Sequence, residues 1–327
     1  RPSTPSPRTS RTSEGLHGPQ QGPHPSGQTW DEEQPLSGDD IFSGLVEEHE
    51  GDARWAFGTG FTEALAGVDT TLPQNVNGQT LSTYCQMLGD DALVCAQRLT
   101  HWVTDAPELE EEMALANIAL DLRGQSRLLL ARAGQADGTG RDEDDFAYWR
   151  EADRFRNVCL AEAPRGDFAR TIMTLLVLSS WRLALMARLR NSTEPVLAAI
   201  ADKAVNELSY HREYAISWTL RLGDGTAYSR ERMVEAVRDV WPFTGELFTT
   251  HPVESELAAQ GVGVDPATTR EEIHGVLTQV LTTATLEAPT AFSDGAISGR
   301  DGRHTDELVP LLAEMQKVAR EHPEATW

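Results

Sequence analysis

Four stretches of about twenty residues or more follow one another between Leu81 and Leu222, with apolar side chains at the three-and-four spacing of a helix and almost no alternating segment among them. A strand needs a period of two, so the pattern predicts an all-α chain, and four long helices in succession predict a helical bundle. The first runs from about Leu81 to Val103. The second opens at Asp105, carries Pro107, Glu108, Glu110, Glu111 and Glu112 in its first turn, where carboxylates suit the helix dipole, and is stopped after Ala133 by Gly134. An acidic linker over 137–145 and a short helix around Phe146 to Phe155 lead to the third, from Asp167 to Arg190. The fourth follows Thr193, Glu194 and Pro195 and ends at Leu222 before Gly223. Shorter helices are predicted from Ser229 to Val240, from Thr268 or Thr269 to Glu287, and from Thr305 to His322. No internal repeat is present.

The N-terminal part is of another kind. Of the first 50 residues 20 are Pro, Gly or Ser, and nine carboxylates face one arginine between Asp31 and Arg54. Such a stretch buries too little apolar surface to offset the entropy of ordering it, so residues 1–80 are expected to be a disordered, low-complexity extension of a helical domain over 81–327. The opening Arg/Ser/Pro run lacks the apolar segment of a secretory signal. Lys and Arg number 28 against 51 Asp and Glu, a formal net charge of −23 with neutral histidines, and no basic stripe interrupts this balance. Nucleic acid and anionic membrane surfaces are excluded as main partners. The longest apolar run, Ile172 to Ala187, is broken by Ser179, Ser180 and Arg182 and reads as a buried helix. Cys85, Cys95 and Cys159 show neither CxxC spacing nor an even count, which predicts no disulfide framework or zinc knuckle and fits a reducing cytoplasm.

A bundle helix buries one stripe, and a titratable group on that stripe demands an explanation because an unpaired charge is expensive to desolvate. In the first helix the line Tyr84, Leu88, Cys95 and Leu99 passes through Asp91. In the second, the line Met113, Asn117, Leu120, Gly124 and Leu128 is read as inward and passes beside Asp121. In the fourth, Ile200, Ala204, Glu207, His211, Tyr214 and Trp218 share one face; in the third, the comparable place is Ser179 or Ser180. Carboxylates and histidine inside a bundle are the ingredients of a di-iron carboxylate centre, which takes a Glu from two helices and Glu-x-x-His from the other two. The set here is short of that. Gly124 stands where the second helix would give a histidine, Leu208 lies three residues before His211, and the third helix offers serines. Asp91, Asp121, Glu207 and His211 are four ligands where six are needed, and the bland reading is a hydrogen-bonded ion-pair cluster completed by Arg182 or Lys203. Glu14 with His17 and Glu271 with His274 repeat the spacing in a low-complexity tail and a first helical turn. No nucleophile elbow, phosphate loop or dinucleotide fingerprint occurs. Gly223 to Gly225 is a helix stop, and Trp102, Trp181 and Trp218 read as core or interface.

The runs Tyr84 to Ala92, Ala106 to Leu109, Met113 to Leu122 with Gly124 and Gln125, and Gly302 to Leu308 continuing through Leu312 to Gln316 and on to Pro323 and Trp327, resemble the C-subunit family of the bacterial 1,2-phenylacetyl-CoA epoxidases. The resemblance spans residues 81–327. It implies a ferritin-like four-helix bundle with additional C-terminal helices, working in a multicomponent monooxygenase of phenylacetate degradation. A ferritin-like catalytic subunit then holds the di-iron centre and epoxidises the ring of phenylacetyl-CoA, with a small bridging subunit and a reductase using FAD, an iron–sulfur cluster and NADPH. On this resemblance the chain itself is structural and holds no metal, cofactor or catalytic residue, and Asp91, Asp121, Gly124, Ser179, Glu207, Leu208 and His211 are vestiges of the centre. Two other readings stay open on the residues alone: a di-iron oxygenase acting by itself, and a helical scaffold or acyl-CoA binding module unrelated to oxygenases.

Overall fold

The computed structural model of the chain describes Leu65, residues 67–293 and residues 298–325, all within the compact unit Thr59–Trp327. Of the extension expected to be disordered over residues 1–80, residues 1–64 and the Glu14 and His17 pair lie outside the described residues, whereas residues 67–80 are described and the first long helix begins within them, at Gly78 after the Asn77 cap. Among the described residues there are ten α-helices and no strand. Two antiparallel hairpins make the bundle. In the first, α1 (Gly78–Thr100) packs along α2 (Leu109–Asp137); in the second, α5 (Phe168–Leu189) packs along α6 (Pro195–Gly223). Between the hairpins run the short helices α3 (Glu143–Tyr148) and α4 (Cys159–Glu162). After them come α7 (Ala227–Val240), α8 (Pro252–Ala259), α9 (Arg270–Thr283) and α10 (Leu308–Glu321).

Small residues set the closeness of the hairpins. A Cβ on Gly89 of α1 would stand 2.9 Å from Leu130 Cδ2 of α2, and Ala92, Ala96, Ala119 and Ala133 are likewise buried. The core is built from Leu, Ile, Val and Met of these four helices with Trp181 and Tyr84 fully buried among them. α5 is long and apolar enough to cross a membrane, but 83% of its most apolar window is buried in the bundle, which accounts for its composition as a core helix.

The second helix departs from the sequence reading in three ways. Asp105 does not cap it: residues 101–107 form turns, Glu108 occupies the cap position without a side-chain bond, and the helix starts at Leu109. Gly134 does not stop it. The helix continues to Asp137 and ends at Gly138 in the left-handed region at φ 68°, while Gly134 is needed for a close approach: a Cβ there would lie 1.8 Å from the carbonyl oxygen of Arg141. The line Met113, Asn117, Leu120 faces outward, with Met113 56% and Leu120 53% exposed, and the helix turns Leu115, Ile118, Leu122, Gln125 and Leu129 to the core instead. Within the linker read over 137–145, Asp142 and Asp145 form a capping box that opens α3 earlier than expected. Thr226, with Ser229 three residues on, caps α7, and the final helix begins at Leu308.

Replacing Gly134 by alanine pushes a methyl into the Arg141 carbonyl, so Gly134→Ala is expected to destabilise the chain by about 1–3 kcal/mol, read as a lower midpoint of urea unfolding at unchanged slope.

Candidate functional site

Each long helix contributes one side chain to a polar row across the middle of the bundle. On α1 Asp91 is buried; on α5 the Arg182 guanidinium, also buried, lies with Nη1 3.9 Å from Asp91 Oδ2. Arg182 Nη1 donates to the Leu88 carbonyl at 3.1 Å and Nη2 to Gln125 Oε1 of α2 at 3.0 Å. Gln125 Nε2 in turn donates to Glu207 Oε2 of α6 at 2.9 Å, and Lys203 Nζ stands 3.8 Å from Glu207 Oε1. Beside this row, His211 Nε2 of α6 meets Asp121 Oδ2 of α2 at 3.0 Å, with the imidazole fully buried and Asp121 half-open to solvent. The four titratable groups expected on the inner stripes are therefore joined in two sets. Asp91 and Glu207 are linked through an arginine and a glutamine, and Asp121 and His211 are linked directly.

Asp91 has a second arginine. Arg300, which precedes α10 by a few residues, donates from Nη1 to Asp91 Oδ1 at 3.0 Å and from Nη2 to Oδ2 at 2.8 Å, and the Val158 amide adds a bond to Oδ1 at 2.8 Å. Burial opposes the charge on Arg300, but Asp91 and Glu254 outweigh it and hold the guanidinium more firmly protonated than usual. The neighbouring Asp90, likewise buried, is a bidentate partner of Arg150 and accepts from the Arg156 amide at 2.9 Å. Arg150 is stacked 4.3 Å from the Phe155 ring centroid. Adjacent aspartates on α1 thus each bind an arginine from a distant part of the chain.

The segment around Arg300 is tied down by two more buried carboxylates. Glu246 accepts from the amides of Cys159 and Gly299, each at 2.7 Å, and burial pushes its carboxyl up to about 7 despite those bonds. Glu162 accepts from the Thr305 amide at 2.5 Å and from Asn157 Nδ2 at 2.9 Å, and pairs with His304 Nδ1 at 2.8 Å. Burial alone would lower His304; the bond to Glu162 and its charge raise it above the ordinary imidazole range.

The donor set does not fit the di-iron centre that the resemblance brings with it. Asp91 is saturated by two guanidiniums and an amide, and Arg182 brings a fixed positive charge to the place where cations would need carboxylates. Among the described residues no group of three or more His, Cys, Asp or Glu side chains is arranged to hold a metal ion. Gly124 and Leu208 supply no donor. Ser179 Oγ turns to the Leu176 carbonyl of its own helix, and Ser180 Oγ is buried without a partner among the described residues. His274, expected only as a weak metal candidate, lies edge-on to Phe292 while Glu271 is exposed. Trp102 and Trp181 are core, and Trp218 donates to Glu111 at 2.7 Å. Sequence reasoning missed Asp90, Arg150, Gln125, Glu162, Glu246, Arg300 and His304. Gln125 was within reach, since it lies four residues after Asp121 and borders the stripe; Arg300 offered no local signal.

A family described as phenylacetic acid catabolic protein matches residues 66–327. The chain belongs to this family. Within the phenylacetic acid catabolic proteins, it is 42% identical over 249 residues, 76% of its length and 99% of the relative's, to the C-subunit of the 1,2-phenylacetyl-CoA epoxidase of Escherichia coli K12. The buried Asp91 and Gln125 and the run from Arg303 to Leu308 fall in the stretches that carried the sequence resemblance.

Removing the shared carboxylate strands two buried guanidiniums. Asp91→Ala is expected to lose about 3–5 kcal/mol of stability, measured by urea unfolding. The His304 and Glu162 pair adds a pH signature. A histidine whose folded value is raised stabilises fully below its unfolded value and loses that contribution as pH rises through the folded one. Glu246, raised in the folded chain, changes in the same direction. The stability difference between the chain and its His304→Gln variant is therefore expected to be larger at about pH 6 than at about pH 8.5, and a difference that grows with pH contradicts the assignment.

Proposed function

We propose that this chain is a non-catalytic, structural subunit of a phenylacetyl-CoA 1,2-epoxidase, packed against the ferritin-like subunit that carries the di-iron centre. The observation that carries the reading is Arg182: a guanidinium in mid-bundle faces the candidate ligand Asp91 and donates to Gln125, which in turn donates to the candidate ligand Glu207, so a permanent protein cation stands among them. The 42% identity to an epoxidase C-subunit over nearly that relative's whole length supplies the reaction and the complex. Phenylacetyl-CoA would be held by the assembly, the small bridging subunit would complete it, and FAD, iron–sulfur and NADPH chemistry would sit in the reductase. Three buried cysteines, none in a disulfide, suit the cytoplasm.

The physical service of such a subunit is rigidity. Metal ligands on helices stay in place only if the helices do, and a homologous bundle with an internally neutralised core is a stiff surface to pack on. A permanent contact of this sort buries on the order of 2,000 Å² or more.

The test is to purify the chain alone, the catalytic subunit alone and the two together, and to measure iron content and epoxidation of phenylacetyl-CoA with the reductase present. The expected result is iron in the catalytic subunit, none held stoichiometrically by this chain, and turnover only for the pair. Two irons per chain with turnover by this chain alone would establish the enzyme reading instead. Normal turnover by the catalytic subunit without it would remove the supporting role.

A further inference from the structure

Residues 298–307 carry no apolar side chain, yet Gly299 and Arg300 among them are buried. The segment runs over α4 and the stretch 153–157 with its backbone in contact: a Cβ on Gly299 would stand 1.9 Å from the Asn157 carbonyl oxygen. With no apolar burial of its own, it is held by polar bonds alone. Arg300 enters the core and, besides Asp91, bonds the carbonyls of Met87 at 2.9 Å and Arg156 at 2.7 Å. Glu246 takes the Gly299 amide, and Glu162 takes the Thr305 amide and the His304 ring. Beneath the segment Cys159 is 2% exposed, with Sγ 3.7 Å from the Arg303 carbonyl oxygen.

We infer that residues 298–307 form a pH-sensitive strap, latched by protonated His304 and by Glu246, which opens locally as pH rises through neutrality and bares the Cys159 thiol while the bundle stays folded.

The geometry at His304 sets the direction. Nδ1 faces Glu162 Oε2 at 2.8 Å and Nε2 faces the Phe155 carbonyl at 3.1 Å, so both ring nitrogens meet oxygen acceptors. Only the imidazolium donates to both; loss of its proton turns a lone pair toward one of those oxygens. At the other end of the strap, Glu246 is buried against Cys159 with Arg300 as the cation acting on it, and desolvation outweighs its bonds so that it ionises at about 7. Both groups have folded values above their free ones, so each closes the strap fully below its free value and loses that contribution as pH rises through the folded one.

The other charges facing the segment leave this sign in place. Glu254, raised by burial and acted on by Arg300, changes in the same direction. His251, 3.5 Å from Asp301 Oδ1, is lowered by burial and runs against His304. Arg98 beside Glu307, Arg156 and Arg182 keep their charge over this range. On Glu246 alone, the rise to about 7 makes opening roughly 10-fold more favourable at about pH 8.5 than at about pH 6.

The test alkylates the full chain with N-ethylmaleimide at about pH 6 and about pH 8.5 and reads Cys159 and Cys85 by peptide mass spectrometry. Each rate is divided by that of the urea-unfolded chain at the same pH, which removes the titration of the thiol itself. Cys85, fully buried on α1, reports opening of the bundle. The relative rate at Cys159 is expected to rise roughly 10-fold with pH while Cys85 stays protected. Glu246→Gln keeps an uncharged acceptor in place and is expected to remove most of the rise. His304→Gln is expected to raise Cys159 labelling at about pH 6, where the ion pair is fullest. A relative rate at Cys159 that is equal at the two pH values, or falls, overturns the strap. Cys85 labelled in step with Cys159 reports unfolding of the whole bundle and overturns it too. An undiminished rise in Glu246→Gln, or wild-type labelling at about pH 6 in His304→Gln, overturns the latch.

Discussion

The carboxylate of Asp91 has no access to water and is shared by Arg300 and Arg182. A buried charge of this kind is tolerated only with full pairing, and the pairing here reaches across the chain. Arg300 comes from the segment before α10 and Arg182 from the middle of α5. Asp90, one residue earlier, recruits Arg150. α1 is thus the element to which α5 and the C-terminal segment are both referenced. Their positions are specified by where two aspartates can be neutralised as well as by apolar packing. The carboxylates of Glu162 and Glu246 repeat the logic on the segment carrying Arg300, accepting backbone amides and His304 so that the arginine arrives in place.

The same interaction distinguishes what a bundle of this kind can do. A pair of irons and a guanidinium are alternative answers to one electrostatic problem, the neutralisation of carboxylates facing each other inside a four-helix core. A metal answers it with an exchangeable cation that binds oxygen and substrate; an arginine answers it with a cation that is covalently part of the chain and chemically inert. Asp121 and His211 answer it a third way, by pairing with each other near the surface. On Asp91 the described residues show the second of these answers, with Arg182 and Arg300 as the cations.

Much of the fold was legible because helical periodicity, proline and N-terminal caps are local. α5 and α6 lie where Asp167, Glu194 and Pro195 place them, within a residue at either end. The errors fall where one signal served two purposes. Gly134 reads as a stop because glycine commonly ends helices, yet it serves a close approach to the Arg141 carbonyl that nothing local announces. α2 has apolar residues on two faces, and periodicity finds both without saying which is inside. Of the polar groups, the four titratable ones were found by their place on apolar stripes, and Arg182 by its place in the most apolar helix. Asp90, Glu162 and Glu246 carry no such mark.

By itself the sequence determined the helical class and the approximate places of the four long helices, since these depend on which residue types occur at which spacing along one chain. Only the tertiary structure decided which face of α2 is the core, which carboxylate meets which arginine, and that His211 takes Asp121 while Glu207 takes Gln125. Those pairings join residues 60 to 209 positions apart. Desolvation selects them, and it acts only once the helices have closed around the charges and left each one few partners within reach.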